Sequence, residues 1–150
     1  MGHTYTNLLT HIVFSTKDRL PYLREDRRED VFAYMGGIVR ELKGIALNIN
    51  GPGDHAHLLV RLPASMAIAE AVKVIKTNSS RWIHEDRVLH RTFAWQAGYA
   101  GFSVSESSVG EVSRYITNQV EHHKKISFQE ELLAFLKKHN IGYDERYIWQ

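Results

Sequence analysis

Residues 45–62, IALNINGPGDHAHLLVRL, contain the hairpin around which the rest of the chain can be ordered. Ile45, Leu47 and Ile49 alternate with Ala46, Asn48 and Asn50, the period of a half-buried strand. GPGD at 51–54 is a turn, and HAHLLVRL at 55–62 is the partner strand, ended by Pro63. Upstream, TNLLTHIVFS at 6–15 is rich in β-branched and aromatic residues and predicts another strand. Val31, Met35, Ile38, Val39 and Leu42 recur at helical spacing over 25–43, and Gly44 follows as a stop. Downstream, Ser65 is expected to cap a helix running to about residue 84, with Ile68, Val72, Ile75 and Ile83 turned inward. Short strands are expected at 95–96 and 101–105. Two S-x-x-E capping boxes, Ser108 with Glu111 and Ser127 with Glu130, predict helices over 109–123 and 128–139. The order β-α-β-β-α-β(β)-α-α predicts an α+β, ferredoxin-like split βαβ fold. It has an antiparallel sheet, helices on one face and an appended C-terminal helical segment.

With 150 residues and no linker or repeat, the chain reads as a single domain over 1–150. It contains no cysteine, which excludes disulfide scaffolds, thiolate metal sites and cysteine nucleophiles. There is no apolar run long enough for a membrane span. MGHTYTNLLT lacks a basic stretch followed by an apolar core, so no secretory leader is expected and the cytoplasm is the expected location. Nineteen Lys+Arg against 17 Asp+Glu leaves a formal charge of +2, too small to announce nucleic acid by itself. Nine histidines are more informative, because imidazole is a neutral metal ligand and proton carrier near neutral pH.

His55 and His57 sit at i and i+2 of a strand, so they share a face about 6–7 Å apart. Ala56, Leu58 and Val60 form the apolar face behind them. A second polar cluster lies on the helix expected over 109–123. There Tyr115 and Gln119 are one turn apart, Asn118 and His122 flank them, and Val109, Val112, Ile116 and Val120 make an apolar stripe on another side. Two imidazoles and an amide oxygen would leave coordination positions open, a set suited to Mg²⁺ or Mn²⁺. Such an ion can polarise a phosphodiester oxygen, and a tyrosine oxygen can attack phosphorus. Metal-activated water acting on small phosphoesters is the alternative that the same residues leave open.

DHAHLLV at 54–60, GYAGFSVSESS at 98–108 and RYITNQVEHHKK at 114–125 resemble the single-tyrosine HUH transposases of insertion-sequence-200-like (200/605) elements. The resemblance covers nearly the whole chain. It rests on H-x-H followed about 60 residues later by Y-x-x-x-Q. It implies His55, His57 and Gln119 as metal ligands and Tyr115 as nucleophile; Asn118 and His122, which flank the Tyr–Gln face, are candidate accessory groups by position. The implied activity is cleavage and rejoining of single-stranded DNA through a 5′-phosphotyrosine, at hairpin ends of a mobile element. The implied assembly is a homodimer with composite sites, associated with the nucleoid when acting on DNA. A non-catalytic regulator that binds DNA hairpins is the alternative. Ala56 is smaller than the residue usual between the histidines, and N-Q-V-E at 118–121 differs from the N-P-V-R-like run common in repeat-associated tyrosine transposases.

Lys73, Lys76 and Arg81 on the second expected helix are the predicted DNA contacts, since phosphates are met by Lys and Arg. His122 and His123 could assist ligation or proton transfer, and the more ordinary reading of both is helix-end histidines favoured by the macrodipole. His3, His11, His84, His90 and His139 show no partner in the sequence and read as structural.

Overall fold

The computed structural model describes residues 2–86 and 92–150, so His90 lies outside the described residues. Its elements are β1 (Leu8–Ser15), α1 (Arg28–Glu41), β2 (Ile45–Asn50), β3 (His55–Leu62), α2 (Ile68–Glu85), β4 (Ala100–Ser103), α3 (Val109–Thr117), α4 (Gln119–His122) and α5 (Phe128–Lys138). The four strands pair antiparallel in the order β2-β3-β1-β4. This is the split βαβ arrangement expected. No described helix is long and apolar enough to cross a membrane.

Strand alternation divides the molecule into two unequal faces. Ile12 and Phe14 of β1 join Ala56, Leu58, Val60 and Leu62 of β3 on the first face, against Val31, Met35 and Val39 of α1 and Val72, Ile75 and Ile83 of α2. On the second face Val13 and Phe102 meet Phe128, Leu132 and Leu136 of the C-terminal segment. The appended helices therefore cover the sheet surface that carries His55 and His57. The pairings Ser15↔His55 and Val13↔His57 fix the histidines over β1.

The structure departs from the expected elements where tertiary contacts compete with local signals. In β2 a bulge at Leu47 interrupts the register between Ala46 and Asn48. The strand changes phase there, so Ala46 and Ile49 pack on the first core while Ile45 stays half exposed. Asn48 and Asn50 thereby face α3. Ser65 does not cap α2, whose N-cap position is Ala67, and Ser108 makes no side-chain cap to α3. Only the Ser127 box forms, its hydroxyl accepting from the Glu130 backbone N–H. Residues 95–96 make one bridge, Thr16↔Trp95, instead of a strand. The helix expected over 109–123 breaks at Asn118.

The turn at 51–54 has a steric requirement. A Cβ on Gly51 would lie 2.2 Å from the His55 carbonyl oxygen, which is backbone and cannot yield. At Gly53 the nearest atom to an added Cβ is 3.4 Å away, an ordinary contact. Gly51→Ala is therefore expected to cost about 2 kcal/mol, a strain-type penalty, and to lower Tm by roughly 4–8 °C. Gly53→Ala should leave thermal denaturation almost unchanged. Equal melting curves for the two variants would show that the turn does not constrain β3.

Candidate active site

β3 leaves the turn at Asp54, and its first and third residues project beneath the C-terminal helices. His55 and His57 are both fully buried, although the strand pattern alone would leave them on an open surface. Each imidazole is held from behind by its Nδ1. Asp54 Oδ1 lies 2.7 Å from His55 Nδ1, and His11 Nε2 lies 2.8 Å from His57 Nδ1. His11, on β1, is thus a partner of the site and not an isolated structural histidine. Orientation of ligating imidazoles by groups behind them is the usual arrangement at metal centres.

Held this way, both Nε2 atoms point to one place. Glu131 Oε1, from α5, lies 3.2 Å from His55 Nε2 and 2.9 Å from His57 Nε2. His123 Nε2 is 3.0 Å from the same oxygen, yet it is buried and makes no hydrogen bond. An unbonded, buried nitrogen aimed at a carboxylate is a donor available to a metal ion. Ligand atoms of His55, His57, His123 and Glu131 all lie within 4.8 Å of one another, a donor set that fits a divalent ion. Gln119 Oε1 stands 3.2 Å from His55 Nε2, at the edge of this set.

Tyr115 reaches the cluster from α3. Asn48 Nδ2 donates to Ser113 O at 2.9 Å and Asn50 Nδ2 to Ile116 O at 3.1 Å and Thr117 O at 3.2 Å. The Asn50 amide satisfies carbonyls that the helix end leaves unpaired, and the Asn48 amide adds a second tie, so α3 can stop at Thr117 while docked on β2. The Tyr115 hydroxyl donates to Glu131 Oε2 and lies 3.1 Å from His122 Nε2. Gln119 Nε2, beyond the helix break, donates to the same Oε2 at 3.2 Å. The break therefore leaves Tyr115 and Gln119 converging on one carboxylate. Asn118 is exposed at the break and stands outside the cluster.

The predicted DNA contacts lie elsewhere. Lys73, Lys76 and Arg81 are on α2, across the sheet from the histidines. The Lys76 ammonium is occupied by the carbonyls of Gln96 and Gly98, and burial lowers its pKa to about 8. Its geometry is that of a loop clamp, which corrects the expectation of a free phosphate contact. Arg81 donates to Asn78 Oδ1 at 2.9 Å, and Lys73 is exposed. Sequence reasoning missed Glu131, Asp54 and the role of His11, and it ranked ligation by His123 below a helix-end reading. Asp54, next to His55, and His123, next to His122, were visible by adjacency. Glu131 has no marker in its spacing.

The electrostatics follow from burial and from Glu131. Burial would raise the Glu131 pKa, but the close imidazoles of His123, His55 and His57 outweigh it and hold the carboxyl far below the usual range. Burial, then the hydrogen bond and charge of Glu131, push Tyr115 above the ordinary phenol range, so the resting tyrosine is neutral. Burial pulls His57 down to about 4 from 6.5. Burial, then the His57 charge, pull His11 down to about 3. For His55 burial acts downward too, but hydrogen bonds to Asp54 and Glu131 raise its pKa overall.

Stability should depend on pH accordingly. His57 and His11 bind protons in the unfolded chain that they exclude when folded, so their contribution is complete above about 6.5 and is lost as pH falls toward 4. His55, with a raised pKa, contributes fully below 6.5 and loses that contribution as pH rises through its folded value. Glu131 stays ionised throughout this range. Metal-free protein should therefore show a falling Tm between pH 6.5 and pH 4.5, and His11→Phe should flatten part of that slope. A Tm that rises on acidification would contradict neutral, buried imidazoles.

Comparison with known proteins agrees with this geometry. The family model described as "Transposase IS200 like" matches residues 4–119. The transposases for insertion sequence element IS200 of Salmonella typhimurium and Salmonella typhi are each 28% identical over 134 residues, covering 83% of this chain and 84% of theirs. Among solved structures, a Deinococcus radiodurans R1 protein assigned as a transposase superposes with a TM-score of 0.60 at 21% identity, covering 79% of this chain and 96% of its own. A REP-associated tyrosine transposase bound to a REP hairpin superposes with a TM-score of 0.61 at 12% identity, covering 84% of this chain and 74% of its own. These two likenesses concern the fold. The family match spans both H-x-H and Y-x-x-x-Q, and by it the chain belongs to the IS200-like transposases.

Proposed function

We propose that this transposase cuts and rejoins single-stranded DNA by transesterification, with Tyr115 as nucleophile. The observation that carries the reading is the double engagement of Glu131. One carboxylate oxygen faces three imidazole Nε2 atoms, and the other accepts the hydrogen bond of the Tyr115 hydroxyl. Nucleophile and ligand set are therefore one hydrogen bond apart.

His55, His57, His123 and Glu131 would hold a divalent ion, with the Gln119 amide oxygen beside them. When bound, the ion would polarise the scissile phosphoryl group and offset its developing charge. Mg²⁺ or Mn²⁺ is the pair expected from the sequence. Three imidazoles in place of two move the preference to Mn²⁺, since Mg²⁺ favours oxygen donors.

The chain's own groups supply the remaining chemistry. For His57 Nε2 to offer its lone pair, its proton must sit on Nδ1 and be donated to His11 Nε2, which must then be unprotonated. Asp54 holds the His55 proton on Nδ1 in the same way. The Tyr115 oxygen forms a bond to phosphorus as Glu131 Oε2 takes the phenolic proton. The bond from phosphorus to the 3′ oxygen breaks, and that oxygen leaves as a hydroxyl with the proton that Glu131 took from Tyr115. In rejoining, a 3′-hydroxyl attacks the phosphotyrosine and the tyrosine regains its proton. One phosphodiester is exchanged for another, so no nucleotide cofactor is required. Single-stranded DNA with hairpin ends is the proposed partner, and one solved neighbour of the same fold holds a REP hairpin.

With Mn²⁺ and labelled single strands from the flanks of its own gene, the protein should form a denaturant-resistant adduct that chelator prevents. Tyr115→Phe should abolish the adduct while DNA binding persists. Glu131→Gln should reduce its rate by about 10²-fold or more, the scale of a lost proton acceptor. Cleavage without adduct in the Tyr115→Phe protein would indicate activated water instead. Hairpin binding with neither product would indicate the non-catalytic regulator.

Mixing Tyr115→Phe with His57→Ala protein decides whether the tyrosine serves its own chain's imidazoles: no adduct on mixing would place both in one chain. Recovery on mixing would establish the exchanged, composite sites of the homodimer that the sequence resemblance implies.

A further inference from the structure

A cleft of about 260 Å³ opens beside the Tyr115 ring. Tyr115, His122 and Glu131 line it together with Ile126, Ala134, Phe135 and Lys138. Glu131, Ala134, Phe135 and Lys138 recur at i, i+3, i+4 and i+7, so α5 presents one continuous face to this space. Along that face the chemistry changes in order. A carboxylate bonded to the nucleophile comes first, then a small side chain beside an aromatic ring, then a cation.

Seven residues of helix separate Glu131 from Lys138 by about 10 Å of rise. Two turns of helix thus set the Lys138 backbone apart from Glu131, and its long side chain can meet a neighbouring phosphate of the same strand. Ala134 is exposed and small, which leaves the middle of the cleft open. Phe135 is half-buried and stands edge-on to Tyr115, with centroids 5.6 Å apart. Among the described residues no carboxylate pairs with Lys138, whereas Lys124 is paired with Glu121 and Arg146 with Asp144. Apolar and aromatic surface flanked by a free cation is the composition that binds unpaired nucleotides.

We propose that this cleft is a nucleotide subsite, taking the nucleotide next to the scissile phosphate with its base and sugar against Ile126, Ala134 and Phe135 and its phosphate at Lys138. The proposal rests on the reading of Tyr115 as nucleophile and deepens it. It replaces α2 as the place where backbone charge is met closest to the chemistry.

The test uses the full chain and a fluorescein-labelled single strand from the flanks of the gene, followed by anisotropy and by adduct formation with Mn²⁺. Lys138→Ala should raise the half-saturating DNA concentration about fivefold and reduce the log–log salt slope by about 1, the signature of one lost phosphate contact. Lys138→Arg should restore both, and Lys137→Ala, on the neighbouring exposed position, should change neither. Ala134→Trp, at an exposed helix position, should fill the cleft and suppress the adduct. A single abasic nucleotide at one position beside the cleaved bond should restore it. Lys138→Ala indistinguishable from Lys137→Ala, or an Ala134→Trp protein as active as the parent, would overturn the subsite. Should the parent bind DNA but form no adduct, the tyrosine reading fails, and the subsite still stands or falls on the Lys138 binding data. A parent that binds no strand at all overturns both.

Discussion

A charged carboxylate in the interior requires partners on every side, and the second face of this sheet is organised to supply them to Glu131. Only 2% of its surface is exposed, and its two oxygens meet imidazoles from β3 and from the segment after α4, the Tyr115 hydroxyl from α3 and the Gln119 amide from α4. Taking any one element away would leave a buried charge or a buried imidazole without a partner. The docking of α3, α4 and α5 is therefore coupled through one side chain, in addition to the modest apolar contact made by Phe128, Leu132 and Leu136. That coupling also places the Tyr115 hydroxyl beside the imidazoles and carboxylate that could hold a metal ion.

The two faces of the sheet divide stability from chemistry. The first carries the larger core, in which α1 and α2 bury the apolar side of β1 and β3. Rigid strands packed in this way provide the fixed spacing that a ligand set requires. The second face has fewer apolar residues and a polar centre, so it depends on the first for its geometry. Basic side chains on α2 belong to the first face, and Lys76 serves there by tying the segment at 96–98 to the helix.

Much of this was readable in the sequence, for a definite reason. Strand alternation in HAHLLVRL and the apolar spacing of α1 and α2 report which side of an element is buried, because those elements pack by one face. His55, His57, Tyr115 and Gln119 could be singled out because polar groups interrupt or flank those patterns. The β2 bulge was not readable. Leu47 continues the alternation, and only pairing with β3 and the demand for Asn48 and Asn50 at α3 change its phase. Nor was the break at Asn118, since no Gly or Pro marks it and the interrupting contacts come from β2. Ser65 and Ser108 have the right chemistry for caps, but the backbone they occupy does not aim their hydroxyls at the helix ends.

The order of elements, the pairing of the hairpin, the absence of thiol chemistry and the two motifs of the family are legible in the residues alone. These are local properties: periodicity, turn composition and short spacings are written in neighbouring residues. The tertiary structure alone decided that the histidine face is covered and that His11 backs His57. It also decided that His123 and Glu131 join His55 and His57 in a cluster that could hold a metal ion, drawn from residues up to 76 positions apart in the chain. A buried polar cluster is satisfied by contacts through space, and nothing in the residues flanking Glu131 records which imidazoles will reach it.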